Sequence, residues 1–402
     1  MIIDKFISDV IKYIRANESG LYIGSVYENL SRRRFDLSKR DILIKVYEAY
    51  KKNINYRGKH TEKEKLALGV LLVGFQQTGI LNGEHRRAIV TSMFNNIKIF
   101  DKEYFNKIKY FNTVKVGQHY DGSIYQLDNT EYSPGDCINY GIGEYSNIGI
   151  LDAVMCGVFF DSFKLPVVAR RADNQVYMSI TPNEIETMRD SIAAAHGKVL
   201  NYGLGLGYWA YEVASKSNVE SVTIVELNQD IINLFNTYIA PQFEPEVLSK
   251  INIIQGDAVE YHRNLADGVY DYCFIDTWFN AYEGMDMYLN FKEQEQKFKN
   301  MQVSYWIEED FLSMLNYLML LAFIDVSMNN VELSDIAKNK LLLLNSRLFE
   351  DSYFSMLFLR SKLFEMITKY MHKSVNSSTF NKISKQLFNL RTTNKILLEI
   401  LK

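Results

Sequence analysis

Lys198-Val199-Leu200-Asn201-Tyr202-Gly203-Leu204-Gly205-Leu206-Gly207 is an apolar run that empties into three alternating glycines, and a helix-compatible segment, Trp209 to Ser215, follows at once. It reads as a strand, a glycine turn and a helix start. Three more strand-like runs follow, each ending at an acid: Ser221 to Val225 at Glu226, Ile251 to Gln255 at Gly256-Asp257-Ala258, and Tyr270 to Ile275 at Asp276. Short apolar strands alternating with helical segments predict βαβ units and an α/β protein with a parallel sheet. Ligands of such sheets bind outside the carboxyl ends of the strands, where all these polar residues lie.

Glycine in the first turn avoids a Cβ that would block a ligand's approach to the backbone, and it adopts positive φ at little cost. Glu226, at the end of the second strand, is placed to accept hydrogen bonds from both hydroxyls of a ribose. Its removal is expected to weaken ligand binding and to change stability little. The expected ligand is not a nicotinamide dinucleotide, whose fingerprint needs a third glycine three positions after the second, where this chain has Tyr208. No Gly-Lys-Ser/Thr occurs, so a P-loop is excluded.

The order Asn201-x-Gly203-x-Gly205-x-Gly207, Glu226, Gly256-Asp257-Ala258, Asp276 resembles the class I S-adenosylmethionine-dependent methyltransferases, over the stretch from Ile180 to Asp276. The resemblance implies a Rossmann-like sheet with the glycine turn along the amino-acid part of the cofactor, Glu226 on the ribose and Asp257 at the adenine amine. It makes Asn201, Tyr202, Gly203, Leu204, Gly205, Gly207, Glu226, Leu227, Asp257, Ala258 and Asp276 the candidate S-adenosylmethionine site. Asn201 stands where the family usually has an acid; its amide still hydrogen-bonds an ammonium, without the charge.

Val225-Glu226-Leu227-Asn228 through Tyr238-Ile239-Ala240-Pro241, with Gly256-Asp257-Ala258 and Asp276-Thr277, is similar to spermidine synthases. These share the sheet and carry an N-terminal β-domain, which Thr113 to Val116, Ser123 to Leu127, Leu165 to Ala169 and Val176 to Ile180 could supply here. Two acids of aminopropyltransferases are replaced, the one inside the glycine turn by Leu206 and the one three residues after the strand-terminal Asp by Phe279. The implied architecture is spermidine-synthase-like without the amine-recognition residues. Met178 to Glu184 and His196 to Leu200, with the glycines that follow, also look like a group of bacterial methyltransferase-like proteins of unassigned substrate.

At 402 residues the chain exceeds one typical domain. A formal charge of −3 lacks the basic excess that favours nucleic acid or an anionic membrane. Cys137, Cys156 and Cys273 form no C-x-x-C pattern, which fits a reduced cytoplasm, and no metal site is expected. Met1 to Arg15 lacks the apolar core of a signal peptide, and Phe311 to Val326 is too short and too polar to span a bilayer. All five prolines are central, and after Gly284 neither glycine nor proline occurs, which predicts a helical tail. The map is a helical region over 1–105, a small β-rich module over 106–180, the sheet domain over 181–310 and a helical region over 311–402. Tyr305-Trp306-Ile307 is the candidate fifth strand, with no clear sixth or seventh.

Several residues read two ways. Asp276 either positions or deprotonates a nucleophile, as the candidate catalytic residue, or accepts backbone hydrogen bonds. Thr277, Trp278 and Tyr282 are candidate substrate contacts, and Trp278, Phe279 and Tyr282 form either an aromatic wall or core. Thr181-Pro182-Asn183-Glu184 reads as a helix start with Thr181 as N-cap and Glu184 completing a capping box, a substrate role for Thr181, Asn183 and Glu184 being the lesser alternative. The six histidines show no metal-ligand spacing. Arg32-Arg33-Arg34 with Lys39 and Arg40 reads as a solvated face, with a phosphate or RNA contact the minority reading, and no G-x-S-x-G elbow supports nucleophilic hydrolysis.

The expected function is S-adenosylmethionine-dependent methyl transfer to a small or medium-sized acceptor, which needs no catalytic triad because the sulfonium is already activated. The partner is then a small-molecule substrate, with no membrane or nucleic acid and a homo-oligomer left open. The alternatives are aminopropyl transfer from the decarboxylated cofactor and a non-catalytic cofactor-binding scaffold. An acidic cleft beside Asp276 would favour the first, and a pocket sealed by helices the second.

Overall fold

The computed structural model describes residues 34–79, 81, 86–116, 124–140 and 155–312, with five single positions between 315 and 342. Two compact units divide the chain: Ile23–Gly143 with Ala153–Ile307, and Met1–Tyr22, Glu144–Asp152 with Glu308–Lys402. Nearly all of the second lies outside the described residues, as do Arg32, Arg33, most of Phe311 to Val326, and the side chain of Tyr282. No helix among the described residues is long and apolar enough to cross a membrane.

The larger unit begins with helices Arg40–Asn53, Glu62–Gln77 and Arg86–Asn96. The second starts at a reciprocal cap in which Thr61 Oγ1 accepts from the Glu64 N–H while the Glu64 carboxylate accepts from the Thr61 N–H at 2.7 Å. A short strand, β1 (Lys98–Phe100), follows where the sequence suggests only helix. Helices Lys102–Asn106 and Lys109–Thr113 come next, so Thr113 to Val116 does not form the expected strand; Val114 is a helix C-cap. Strands β2 (Tyr125–Tyr132), β3 (Cys137–Asn139), β4 (Cys156–Phe159), β5 (Phe163–Arg170) and β6 (Val176–Ser179) build two small sheets, β1-β4-β3 and the antiparallel β2-β5-β6.

After helix Pro182–Ala194 come β7 (Gly197–Tyr202), β8 (Val219–Glu226), β9 (Ile251–Gln255), β10 (Tyr272–Ile275) and β11 (Gln302–Tyr305). They form one sheet, every pair parallel, in the order β11-β10-β7-β8-β9. This is an α/β protein with the strand order of doubly wound nucleotide-binding folds. Burial follows position: β7, β8 and β10 are almost wholly buried at their carboxyl halves, as strands covered on both faces must be, whereas the edge strands β9 and β11 are half-buried. The expected fifth strand lies slightly late. Gln302 enters the sheet by donating its N–H to the Asp271 carbonyl, and Ile307, in the left-handed region at φ 51°, falls beyond its end.

The chain turns to opposite sides of β7 on its way to β8 and to β10, so the switch point that leaves a crevice lies between β7 and β10. Tyr202 pairs with Ile275, so these two strands end level, and the Asp276 N–H donates to the Tyr202 carbonyl at 3.0 Å. The Gly203 N–H donates to Val225 O and the Gly256 N–H to Glu226 O, both at 3.0 Å. These three bonds bring the residues after β7, β8, β9 and β10 to one edge.

Candidate functional site

A cavity of about 290 Å³ opens at that edge, and its walls include Asn201, Gly203, Leu204, Gly205, Glu226, Leu227, Asp257, Ala258, Asp276, Thr277 and Trp278. The size suits a nucleoside with a short substituent. Tyr202 and Gly207 do not reach it. Tyr202 is fully buried with its hydroxyl 3.1 Å from His262 Nδ1, and Gly207 faces the Phe235 ring, which a Cβ would meet at 2.3 Å.

Two of the three glycines serve packing. Gly203, at φ 93°, passes so close to the end of β10 that a Cβ would lie 2.0 Å from the Asp276 carbonyl oxygen. Gly205 alone keeps open space on its Cβ side, the nearest atom being Met178 Sδ at 3.5 Å, and it lines the cavity. The turn is tied down from three directions. The Gly207 N–H donates to Leu204 O at 3.0 Å, the Tyr110 hydroxyl donates to Leu206 O at 2.7 Å, and the Leu204 N–H donates to Glu226 Oε2 at 2.9 Å.

Glu226 Oε1 accepts from the Asn228 N–H at 2.8 Å, so this buried carboxylate spans the glycine turn and the entry to helix Gln229–Leu234. The expectation that Glu226 contributes little to stability is thereby corrected, because its removal strands two backbone donors. Asp257 caps helix Ala258–Asn264 through Oδ1, which accepts from the Glu260 N–H at 2.8 Å. Both acids line the cavity while making these bonds.

Asn201 is only 3% exposed, and its amide is oriented by Nδ2, which donates to Gly203 O at 2.5 Å. Its Oδ1 is buried and has no hydrogen-bond partner. A buried acceptor without a partner costs about 1–3 kcal/mol.

Glu184 is brought to the same cavity, contrary to the capping-box reading. Thr181 does occupy the N-cap position of helix Pro182–Ala194, but its side chain accepts no cap hydrogen bond. Burial pushes the Glu184 carboxyl up to about 7. The Asp276 carboxyl is raised well above the usual range by burial first, then by the neighbouring Glu184 and Glu226. Four carboxyl groups, Glu184, Glu226, Asp257 and Asp276, therefore line the cavity, and no Lys, Arg or His among the described residues does. Sequence spacing favoured the cap over a site role for Glu184 because its approach to Asp276 depends on how the helix packs beside the sheet.

Apolar walls complete the site. Trp278 is 8% exposed and its Nε1 donates to Trp306 O at 3.3 Å, while Trp306 Nε1 donates to Thr187 Oγ1 at 3.0 Å. Phe279 is 51% exposed at the rim and meets Tyr177 of β6 edge-to-face with ring centres 5.2 Å apart. Trp278 and Phe279 thus take up the expected aromatic wall, joined by Tyr177 and Trp306.

No family model matches the chain. Spermidine synthase 2 of Arabidopsis thaliana is 34% identical over 85 residues, which are 20% of this chain and 24% of that protein. The chain therefore matches about a quarter of that relative's length. Among solved structures, spermidine synthase from Thermotoga maritima aligns at 16% identity and a TM-score of 0.28, covering 49% of this chain and 60% of that one. The methyltransferase domain of bacterial CtHen1-CN aligns at 14% identity and a TM-score of 0.24, covering 30% and 61%.

Proposed function

We propose that the cavity binds S-adenosylmethionine and that the protein transfers its methyl group to a small acceptor. The observation that carries this reading is a cavity at the strand ends, walled in part by Asn201 and the glycine turn, whose charged side chains are all carboxylic acids. An ammonium donor suits a wall of carboxylates; in this reading Glu226 takes the ribose and Asp257 the adenine, with the exposed Leu227 as an apolar surface for the base. A pyrophosphate, by contrast, would meet four acids and no cationic side chain.

When bound, the sulfonium supplies an activated carbon and a neutral leaving thioether. The protein's share is alignment and exclusion of water. The strand-end bonds fix the glycine turn against Asp276, and Trp278 and Trp306 make a dry wall beside it. The segments before the sheet shape the acceptor side by contributing Met178 and Glu184.

One observation favours aminopropyl transfer as a second reading. The α-carboxylate of the intact donor finds no cationic side chain in the cavity, and Glu184 beside Asp276 makes the acidic cleft that a cationic acceptor needs. Against it stand Leu206 and Phe279 in place of two carboxylates. Competition between S-adenosylmethionine and its decarboxylated form at equal concentration separates the two. Methyl transfer predicts that the intact donor wins; preference for the decarboxylated form, or production of spermidine from putrescine, would replace methyl with aminopropyl transfer.

A further inference from the structure

We propose that Glu184 is the proton acceptor of this cavity, ionised when a sulfonium is bound and so ready to take the proton that the attacking nucleophile must lose. The proposal rests on the adenosyl-sulfonium reading above. Glu184 sits in the first turn of helix Pro182–Ala194, outside the sheet that holds the other acids, and lines the cavity with Asp276. Neither carboxylate has a hydrogen-bond or ion-pair partner among the described residues. Both side chains share the cavity wall with the glycine turn at Gly203 and Gly205.

Met188, Trp278, Met287 and Trp306 make the surroundings apolar, and burial holds the Glu184 carboxyl near 7. The other titratable groups lining the cavity are Asp276 after β10, Glu226 at the end of β8, Asp257 before helix Ala258–Asn264, and the phenols Tyr177 and Tyr208, both raised by burial. All are acids, so nothing in this lining stabilises the Glu184 anion. A bound cation would, and a carboxyl titrating near 7 is matched to base catalysis near neutral pH. Asp276, raised by burial first and then by Glu184 and Glu226, lines the cavity with Glu184.

In the step itself, a lone pair on the acceptor forms the bond to the transferred carbon. The carbon–sulfur bond breaks with its electrons left on sulfur, which becomes a neutral thioether. The acceptor's proton passes to a Glu184 oxygen and then to solvent.

Calorimetry of the full chain with S-adenosylmethionine near pH 7, repeated in buffers of different ionisation enthalpy, counts protons released on binding. The wild type should release up to about half a proton, because a carboxyl titrating near 7 is about half-protonated there, and S-adenosylhomocysteine, which lacks the sulfonium charge, much less. Glu184→Gln should still bind and lose most of that release; equal release from wild type and variant overturns the assignment. No binding of S-adenosylmethionine by the wild type would instead overturn the underlying reading, and this assignment with it. Should the variant not fold, carbon-13 NMR of wild-type protein labelled at glutamate carboxyls should show a resonance titrating near 7 that S-adenosylmethionine moves to lower pH. A titration untouched by the ligand overturns the proposal.

Discussion

The Glu226 carboxylate accepts from the Leu204 N–H with one oxygen and from the Asn228 N–H with the other, so its loss acts on fold and ligand together. Glu226→Ala should lower stability by about 2–6 kcal/mol, at about 1–3 kcal/mol for each of the two stranded donors. Glu226→Gln keeps one acceptor oxygen, so it should fold and yet bind S-adenosylmethionine at least about tenfold more weakly for want of the charge. Urea unfolding and calorimetry measure the two effects, and unchanged affinity in a folded Glu226→Gln protein would leave the carboxylate a purely structural brace. Glu226 was legible in the sequence because a strand-terminal acid after a glycine turn is a local pattern. Glu184 was misread for the opposite reason: Thr181-x-x-Glu184 satisfies a local capping rule, and only packing turns that side chain towards Asp276.

The glycine turn, as an element, divides into two packing positions and one facing the cavity. Gly203→Ala would drive a Cβ to 2.0 Å from the Asp276 carbonyl at φ 93°, which forces β7 and β10 apart. Its stability should fall by at least about 3 kcal/mol, beyond the usual range for a single substitution. Gly205→Ala has room, with nothing nearer than Met178 Sδ at 3.5 Å, so it should cost only the left-handed backbone penalty of about 1–2 kcal/mol. It should nevertheless weaken ligand binding, since the new methyl lies at the cavity wall. Thermal unfolding of both variants checks the contrast, and equal losses would contradict the division. The strands themselves were legible because β7, β8 and β10 are continuous apolar runs with polar ends. The edge strand β11 was placed late because Tyr305-Trp306-Ile307 is the most apolar part of its neighbourhood, whereas pairing begins at Gln302. Short β1 and the helix Lys109–Thr113 carry too few residues for any period to show.

Across the whole molecule, the sheet order puts the ends of β7 and β10 side by side at the switch point, and packing of β6 and helix Pro182–Ala194 against that edge closes a cavity lined by four acids. The overall charge of −3 gives no sign of this concentration, since composition averages over the surface. The central claim is that this cavity recognises an adenosyl sulfonium and not a dinucleotide. Calorimetric titration of the full chain with S-adenosylmethionine and, separately, with NAD tests it most directly. The account predicts saturable binding of S-adenosylmethionine at one site per chain and no measurable heat with NAD; tight binding of NAD, with none of the adenosyl sulfonium, would contradict it.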